Sequence, residues 1–266
     1  MNRVRDDRLQ LPSSGDWRLE VAQKGRLDRF DVISTAADDL PDGHVRVRIE
    51  AAGVNFRDVL NALGMVPIPW LGLELAGTIE EVGAGVSNVA VGDRVLGIGQ
   101  ATFASSAIAD ARLVTPIVGQ MSVEEAATIP LVFLTAWYAL HDLGSLQAGE
   151  RVLIHAAAGG VGMAAVQLAQ LHGAEVFGTA SLPKWDVLRE MGLDDAHIAS
   201  SRELSFAPAF RESTGGEGVD VVLNALAREF IDESIGLLRA GGRFLEMGKT
   251  DVREQAWVEK NHPGMM

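Results

Sequence analysis

The stretch HAAAGGVGMAAVQLA, residues 155–169, decides how this chain folds. It follows Arg151-Val152-Leu153-Ile154, an aliphatic and β-branched run, and leads into apolar residues at helical spacing. A strand, a glycine turn and a helix in that order form the context in which a dinucleotide fingerprint carries meaning. The spacing is Ala157-x-Gly159-x-x-Gly162, with alanine in the first glycine slot. Gly159 would let the backbone approach a pyrophosphate, and Gly162 would let the helix pack closely on the strand. The free N–H groups of Ala158, Gly159, Gly160, Val161 and Gly162 would hold the phosphates at the helix start.

Strands and helices alternate from this turn onward. Apolar strands are expected at 152–156, 175–179, 197–200, 219–224 and 243–247, with helices near 163–171, 185–191, 204–212 and 230–238. That alternation predicts a doubly wound parallel sheet, with ligands at the carboxyl ends of the strands. Upstream, the texture is different. His44 to Glu50 alternates polar with apolar residues, and 72–82 and 93–98 read as further strands between glycine turns. Short strands of this kind suggest a small barrel or sandwich. Ser122 followed by Glu125 is a capping box that opens a helix stopping near Pro130, and a second apolar helix is expected over 133–143. The expected division is therefore a β-rich domain over 1–118 and an α/β domain over 119–266. The tail from Asp251 is polar and weakly patterned.

Composition excludes several classes of function. The net charge of −13 opposes binding to nucleic acid, and no cluster of Lys or Arg offsets it. The absence of cysteine removes disulfides, thiolate nucleophiles and thiolate metal sites, which fits a cytoplasmic location. The N-terminal MNRVRDDRLQ lacks the apolar stretch of a signal peptide. The longest apolar run, 126–140, is interrupted by Thr128, Pro130 and Thr135, so no membrane span is expected.

With these residues in place the chain resembles the zinc-independent medium-chain reductases, and more narrowly the enoyl reductase domain of modular polyketide synthases. The matching stretches are AGVNFRDVLNALGM (52–65), VGDRVLGI (91–98), EEAATIPLVFLTAWYALHDLG (124–144), GERVLIHAAAGGVGMAAVQLA (149–169), PKWDVLREMGLDDAHIASSRELSF (183–206), GVDVVLNALA (218–227) and GGRFLEMGKTDVRE (241–254). The resemblance implies a GroES-like substrate domain followed by a Rossmann domain. It implies NADPH-dependent reduction of an α,β-unsaturated thioester on an acyl carrier protein, with hydride to the β-carbon and a proton to the α-carbon. Neighbouring synthase domains are the implied partners. The family normally continues past the GKTDVR region with a last Rossmann strand and a return segment to the substrate domain. By that analogy a C-terminal truncation of roughly 60 or more residues is expected, measured against usual domain sizes. Two other readings stay open: a free-standing quinone or enone reductase, and a non-catalytic remnant that binds NADPH.

The resemblance also assigns residues. Asn55 is placed near the nicotinamide ribose and the reacting centre. Val66 occupies a position where the family often carries a tyrosine tied to proton delivery and to α-methyl stereochemistry. Valine is associated with the opposite, 2R-type outcome and cannot donate a proton. Lys184 corresponds to a lysine that binds the 2′-phosphate in some relatives and has been proposed as proton donor in others. Thr135, Asn224 and Gly248 match positions around the nicotinamide. No acid ends the second strand of the α/β domain at Gly178-Thr179-Ala180-Ser181, whereas an NAD enzyme would place Asp or Glu there. Thr179 and Ser181 with Lys184, and Arg202 as a second positive charge, therefore suit NADPH. Glu203 is a surface acid or a carboxylate partner to Lys184. No metal is expected, because cysteine is absent and Leu73 stands where zinc relatives place a ligand histidine. Glu74 then reads as structural, Arg57 and Asp58 as a pair in the first turn of a helix, Tyr138 as core or interface, and His155 as a packed structural histidine.

Overall fold

In the computed structural model, which describes residues 9–36, 38–249 and 251–262, two chemically different textures become two units, Met1–Leu131 and Val132–Met266. The first unit holds strands β1 (Asp16–Val21), β2 (Phe30–Thr35) and β3 (His44–Ala51), helix α1 (Phe56–Ala62), strands β4 (Glu74–Val82), β5 (Arg94–Ile98), β6 (Ser106–Asp110) and β7 (Val114–Pro116), and the short helix α2 (Val123–Ala126). Strands β3 to β7 form an antiparallel sheet in the order β6-β3-β4-β5-β7, and β1 and β2 pair as a separate hairpin. The alternation in β3 turns Val45 and Val47 inward, where they meet Leu75, Ile79, Val95, Ala107, Ala109 and Val114. The β3–β4 pairing shifts register between Arg46 and Val47 and between Ile49 and Ala51, which bends the ribbon. The expected capping box is present: Ser122 Oγ accepts from the Glu125 N–H, and the Glu125 carboxylate accepts from the Ser122 N–H.

Helix α3 (Pro130–Trp137) leads into the second unit. There follow β8 (Arg151–Ile154), α4 (Gly160–Leu171), β9 (Glu175–Ala180), α5 (Trp185–Glu190), β10 (Ile198–Ser200), α6 (Phe206–Ser213), β11 (Val219–Asn224), α7 (Glu229–Leu237), β12 (Leu238–Glu246) and α8 (Gln255–Asn261). Every pairing in this sheet is parallel and the order is β10-β9-β8-β11-β12. The chain winds outward from β8 to β10, then crosses back to β11, so the switch point lies between β8 and β11. The central strands are buried on both faces, which explains the apolar runs 152–154 in β8 and 221–223 in β11 in place of a strict alternation. Val152, Ile154, Val176, Val221 and Leu223 face α4 and α5. Leu153, Phe177 and Val222 face Phe206, Phe210 and Leu237 on the other side.

Several expectations from the sequence are refined. The 133–143 helix begins at Pro130, and its last six residues, Tyr138–Leu143, form a π-helical turn. Tyr138 is exposed there, which removes the core alternative and leaves the interface one. By length and composition alone the 21 residues Val123–Leu143 could cross a bilayer, but they fold as three pieces, broken before Pro130. Strand β12 starts five residues earlier than expected, because Leu238 pairs with Val219 before a bulge and Arg243 then resumes pairing with Val221. The tail also forms α8, which sequence patterning left unassigned.

Candidate functional site

The glycine turn sits at the carboxyl end of β8, beside the switch point. The residue that makes the tight turn is Ala156, with φ 51°, one position before the first motif slot. Ala157 is buried, and its N–H donates to the Thr179 carbonyl at 2.9 Å, which ties the turn to β9. Gly159 is the N-cap of α4 and has no side chain to cap it; its own N–H donates to the Ala156 carbonyl at 2.8 Å, so it is not one of the free donors expected from the sequence. The first N–H groups of α4 therefore face outward as donors, with the positive end of the helix dipole behind them. A Cβ on Gly162 would lie 2.6 Å from Ala157 Cα and closer still to the Ala156 carbonyl. Only glycine lets α4 approach the turn this closely. These features fit a dinucleotide pyrophosphate.

His155 forms the floor of the turn and is completely buried. Its Nδ1 lies 2.8 Å from Thr179 Oγ1 and its Nε2 lies 2.7 Å from Ser234 Oγ. Ser234 has one hydroxyl proton, which it donates to the Phe230 carbonyl at 2.5 Å. Ser234 must then accept from His155 Nε2–H, and His155 Nδ1 must accept from the Thr179 hydroxyl. The ring is thus a neutral imidazole in one tautomer, edge-on to Phe206. Burial pushes its pKa down to about 3.

The strand ends carry the remaining candidates. Thr179 is buried and its hydroxyl belongs to His155, leaving only its backbone on the turn. Ser181 follows β9 and starts a short 3₁₀ turn, in which its carbonyl accepts from the Lys184 N–H. Lys184 is exposed, and its ammonium has no hydrogen bond or ion pair among the described residues. Arg202 leaves the end of the neighbouring β10, where its own N–H donates to Ser200 Oγ; its guanidinium is likewise unpaired among the described residues. Ser200 and Ala180 are register partners, so both cations leave adjacent strand ends. Glu203 contacts Ser205 and not Lys184. Asn224 is buried at the end of β11, and its amide donates to the Leu226 carbonyl and to Glu246, both at 2.8 Å. Glu246 in turn accepts from the Gly248 N–H at 2.6 Å. Asn224 and Gly248 are therefore joined through Glu246, a residue the sequence reading did not single out. Its only signal was a carboxylate set in the apolar run Phe244-Leu245-Glu246-Met247. Thr135 lies on α3, half-buried.

In the first unit, Asn55 is the N-cap of α1, and its amide donates to Glu74 Oε1 at 2.8 Å. Glu74 is buried, and its other oxygen accepts from the Leu131 N–H at 2.9 Å. A Cβ on Gly53 would lie 2.6 Å from the Glu74 carboxyl carbon, so glycine is needed for this approach. Arg57 and Asp58 do not pair as expected. Asp58 accepts from the N–H groups of Asn55 and Gly72, both at 2.9 Å, while the Arg57 guanidinium lies 5.0 Å over the Trp70 ring. Val66 lies half-buried in the loop after α1.

Residues 41–119 match the family described as alcohol dehydrogenase GroES-like domain, and residues 160–261 match the family described as zinc-binding dehydrogenase. The residues here do not fit a zinc ion. Cysteine is absent, both Glu74 oxygens accept N–H donors, and no three His, Asp or Glu side chains converge among the described residues. The chain is 54% identical over 264 residues to pikromycin polyketide synthase component PikAII of Streptomyces venezuelae, covering 97% of this chain and 7% of that synthase. It is similar to the solved CurK enoyl reductase at 42% identity and a TM-score of 0.90, over 95% of this chain and 80% of that one. It is also similar to mycobacterial Rv1454c, solved with NADPH, at 28% identity and a TM-score of 0.84, over 94% and 80% of the two chains. The first unit has the expected GroES-like fold and the second the Rossmann fold.

Two outcomes follow from this geometry. Gly162→Ala should destabilise the protein by about 1–3 kcal/mol, because backbone must move. Gly160→Ala, where a Cβ meets only Val132 Cγ1 at 3.1 Å, should cost less, and thermal unfolding of both variants checks the order. The folded-state pKa of His155 lies below its ordinary 6.5, so the unfolded chain binds the extra proton. Its contribution is complete above about pH 6.5 and is lost as pH falls toward about 3, at up to roughly 1.4 kcal/mol per pH unit. Urea unfolding across that range should show a shallower pH slope in His155→Asn.

Proposed function

The chain belongs to the enoyl reductase family of modular polyketide synthases, and from that premise we propose that it reduces the α,β double bond of an enoyl thioester carried on an acyl carrier protein, using NADPH. The observation that carries this reading is the end of β9. It runs into Ala180-Ser181 without a carboxylate, beside two cations unpaired among the described residues, Lys184 and Arg202, next to a glycine turn with outward N–H groups. A carboxylate there would accept from the ribose hydroxyls of NADH and repel a 2′-phosphate, whereas two cations attract one.

In this reading Ala158, Gly159, Gly160, Val161 and Gly162 line the pyrophosphate. Ser181, Lys184 and Arg202 hold the 2′-phosphate, and Thr179 supports the turn through His155. Asn224 and Gly248, locked together by Glu246, present backbone groups at the nicotinamide end, with Thr135 in the same role. NADPH, when bound, supplies hydride to the β-carbon of the enoyl thioester. Asn55, with its amide fixed by Glu74, serves the reacting centre, and Val66 faces the acyl chain near the α-carbon. Valine has no proton to give, so the α-carbon is protonated by another donor. A cytosolic setting within a multidomain synthase, among neighbouring synthase domains, belongs to the same reading.

The test is titration with NADPH and with NADH by nicotinamide fluorescence, then loss of nicotinamide absorbance on adding crotonyl-pantetheine. Selective NADPH binding with turnover is expected. Turnover of simple quinones in preference to the thioester would favour the free-standing reductase, and binding without turnover a remnant. Lys184→Ala and Arg202→Ala should each weaken NADPH binding by about 1.5–3 kcal/mol and leave NADH binding unchanged. A Lys184→Ala variant that lost kcat with unchanged NADPH affinity would instead make Lys184 the proton donor.

A further inference from the structure

The loop after α1, residues 63–70, carries Val66 and has little regular structure of its own. Three turn hydrogen bonds start it: the N–H groups of Leu63, Gly64 and Met65 donate to the carbonyls of Val59, Asn61 and Leu60. Beyond Met65 the loop runs through Pro67 and Pro69, neither of which has an N–H to donate. It is held from outside by a residue distant in sequence. Lys24, in the turn between β1 and β2, donates from its Nζ to the Asn61 carbonyl at 2.9 Å, to Asn61 Oδ1, and to the Ile68 carbonyl at 3.4 Å. An ammonium has three N–H donors, and here all three point at α1 and the loop. The contact is reinforced by the backbone, since the Gly25 N–H donates to the Ala62 carbonyl at 2.9 Å. Asn61 is buried and uses its amide N–H to hold the Trp70 carbonyl at 2.7 Å, at the far end of the same loop.

We propose that Lys24 is a positioning residue for the thioester substrate. Its ammonium latches residues 63–70 to the β1–β2 turn and so sets where Val66 stands against the acyl chain. This proposal rests on the reading that Val66 faces that chain. Without the ammonium, the buried Asn61 Oδ1 loses its charged donor, and Asn61 no longer anchors both ends of the loop in one geometry.

The experiment compares wild type with Lys24→Met, which keeps an unbranched apolar stem, and with Arg26→Met as a control. Arg26 sits in the same turn but, among the described residues, pairs only with Asp28. Two readouts are needed. Hydrogen exchange over residues 61–72 should quicken roughly tenfold in Lys24→Met, the factor that goes with losing a charged hydrogen bond, and should not change in Arg26→Met. Reduction of 2-methylcrotonyl-pantetheine should show a raised KM for the thioester and a mixed configuration at the α-carbon, with NADPH affinity unchanged. Unchanged exchange in Lys24→Met overturns the latch. Faster exchange with unchanged thioester KM and unchanged configuration overturns its role in positioning. If wild type itself reduces no enoyl thioester, the proposed function has failed, and with it the substrate role of Lys24; that failure appears before any variant is compared.

Discussion

A side chain at position 162 would have to occupy space already taken by the backbone of Ala156 and Ala157. The second unit is arranged around that exclusion. Because α4 can approach the end of β8, its first N–H groups point toward the crevice at the switch point. The turn that permits this needs a left-handed residue at Ala156 and a rigid floor, and His155 provides the floor by joining β9 to α7 through two hydroxyls. A neutral, fully bonded imidazole can be buried there without an uncompensated charge, and the same burial makes it a poor proton acceptor.

The acids near the candidate sites are engaged internally. Glu74 holds Asn55 and the Leu131 N–H, Asp58 holds the N–H groups of Asn55 and Gly72, and Glu246 joins Asn224 to Gly248. Each carboxylate fixes a backbone or amide geometry by accepting from two donors. In a chain with a net charge of −13, two cations at adjacent strand ends, unpaired among the described residues, stand out against this background. That contrast, more than the glycine motif, is what the proposed preference of the β9 end for a phosphate over a pair of ribose hydroxyls rests on.

Much of the architecture was legible in sequence because burial imposes period on composition. The alternation in β3, the apolar runs 152–154 and 221–223 in β8 and β11, and the strand–glycine–helix order at β8 each reflect how many faces of an element are covered. What was illegible lacked such a period. Strands β1 and β2 are half-buried along most of their length and carry no clean alternation. The bulge in β12 hides its first residues behind Gly241-Gly242. The π-helical turn after Trp137 keeps the apolar composition of a helix while changing its hydrogen-bond step, so composition alone could not find it.

The sequence by itself determined the class of fold, the position of the glycine turn, the lack of thiolate chemistry and the missing acid after β9. These depend on residue type and on spacing along a single element. Only the tertiary structure decided that Thr179 serves His155, that Asp58 and Arg57 part company, that Glu246 joins two strand ends, and that Lys24 reaches the loop carrying Val66. Each of these is a hydrogen bond or contact whose direction is set by the three-dimensional placement of donors and acceptors. Several join residues far apart in the chain, and no period in the sequence records which of them will meet.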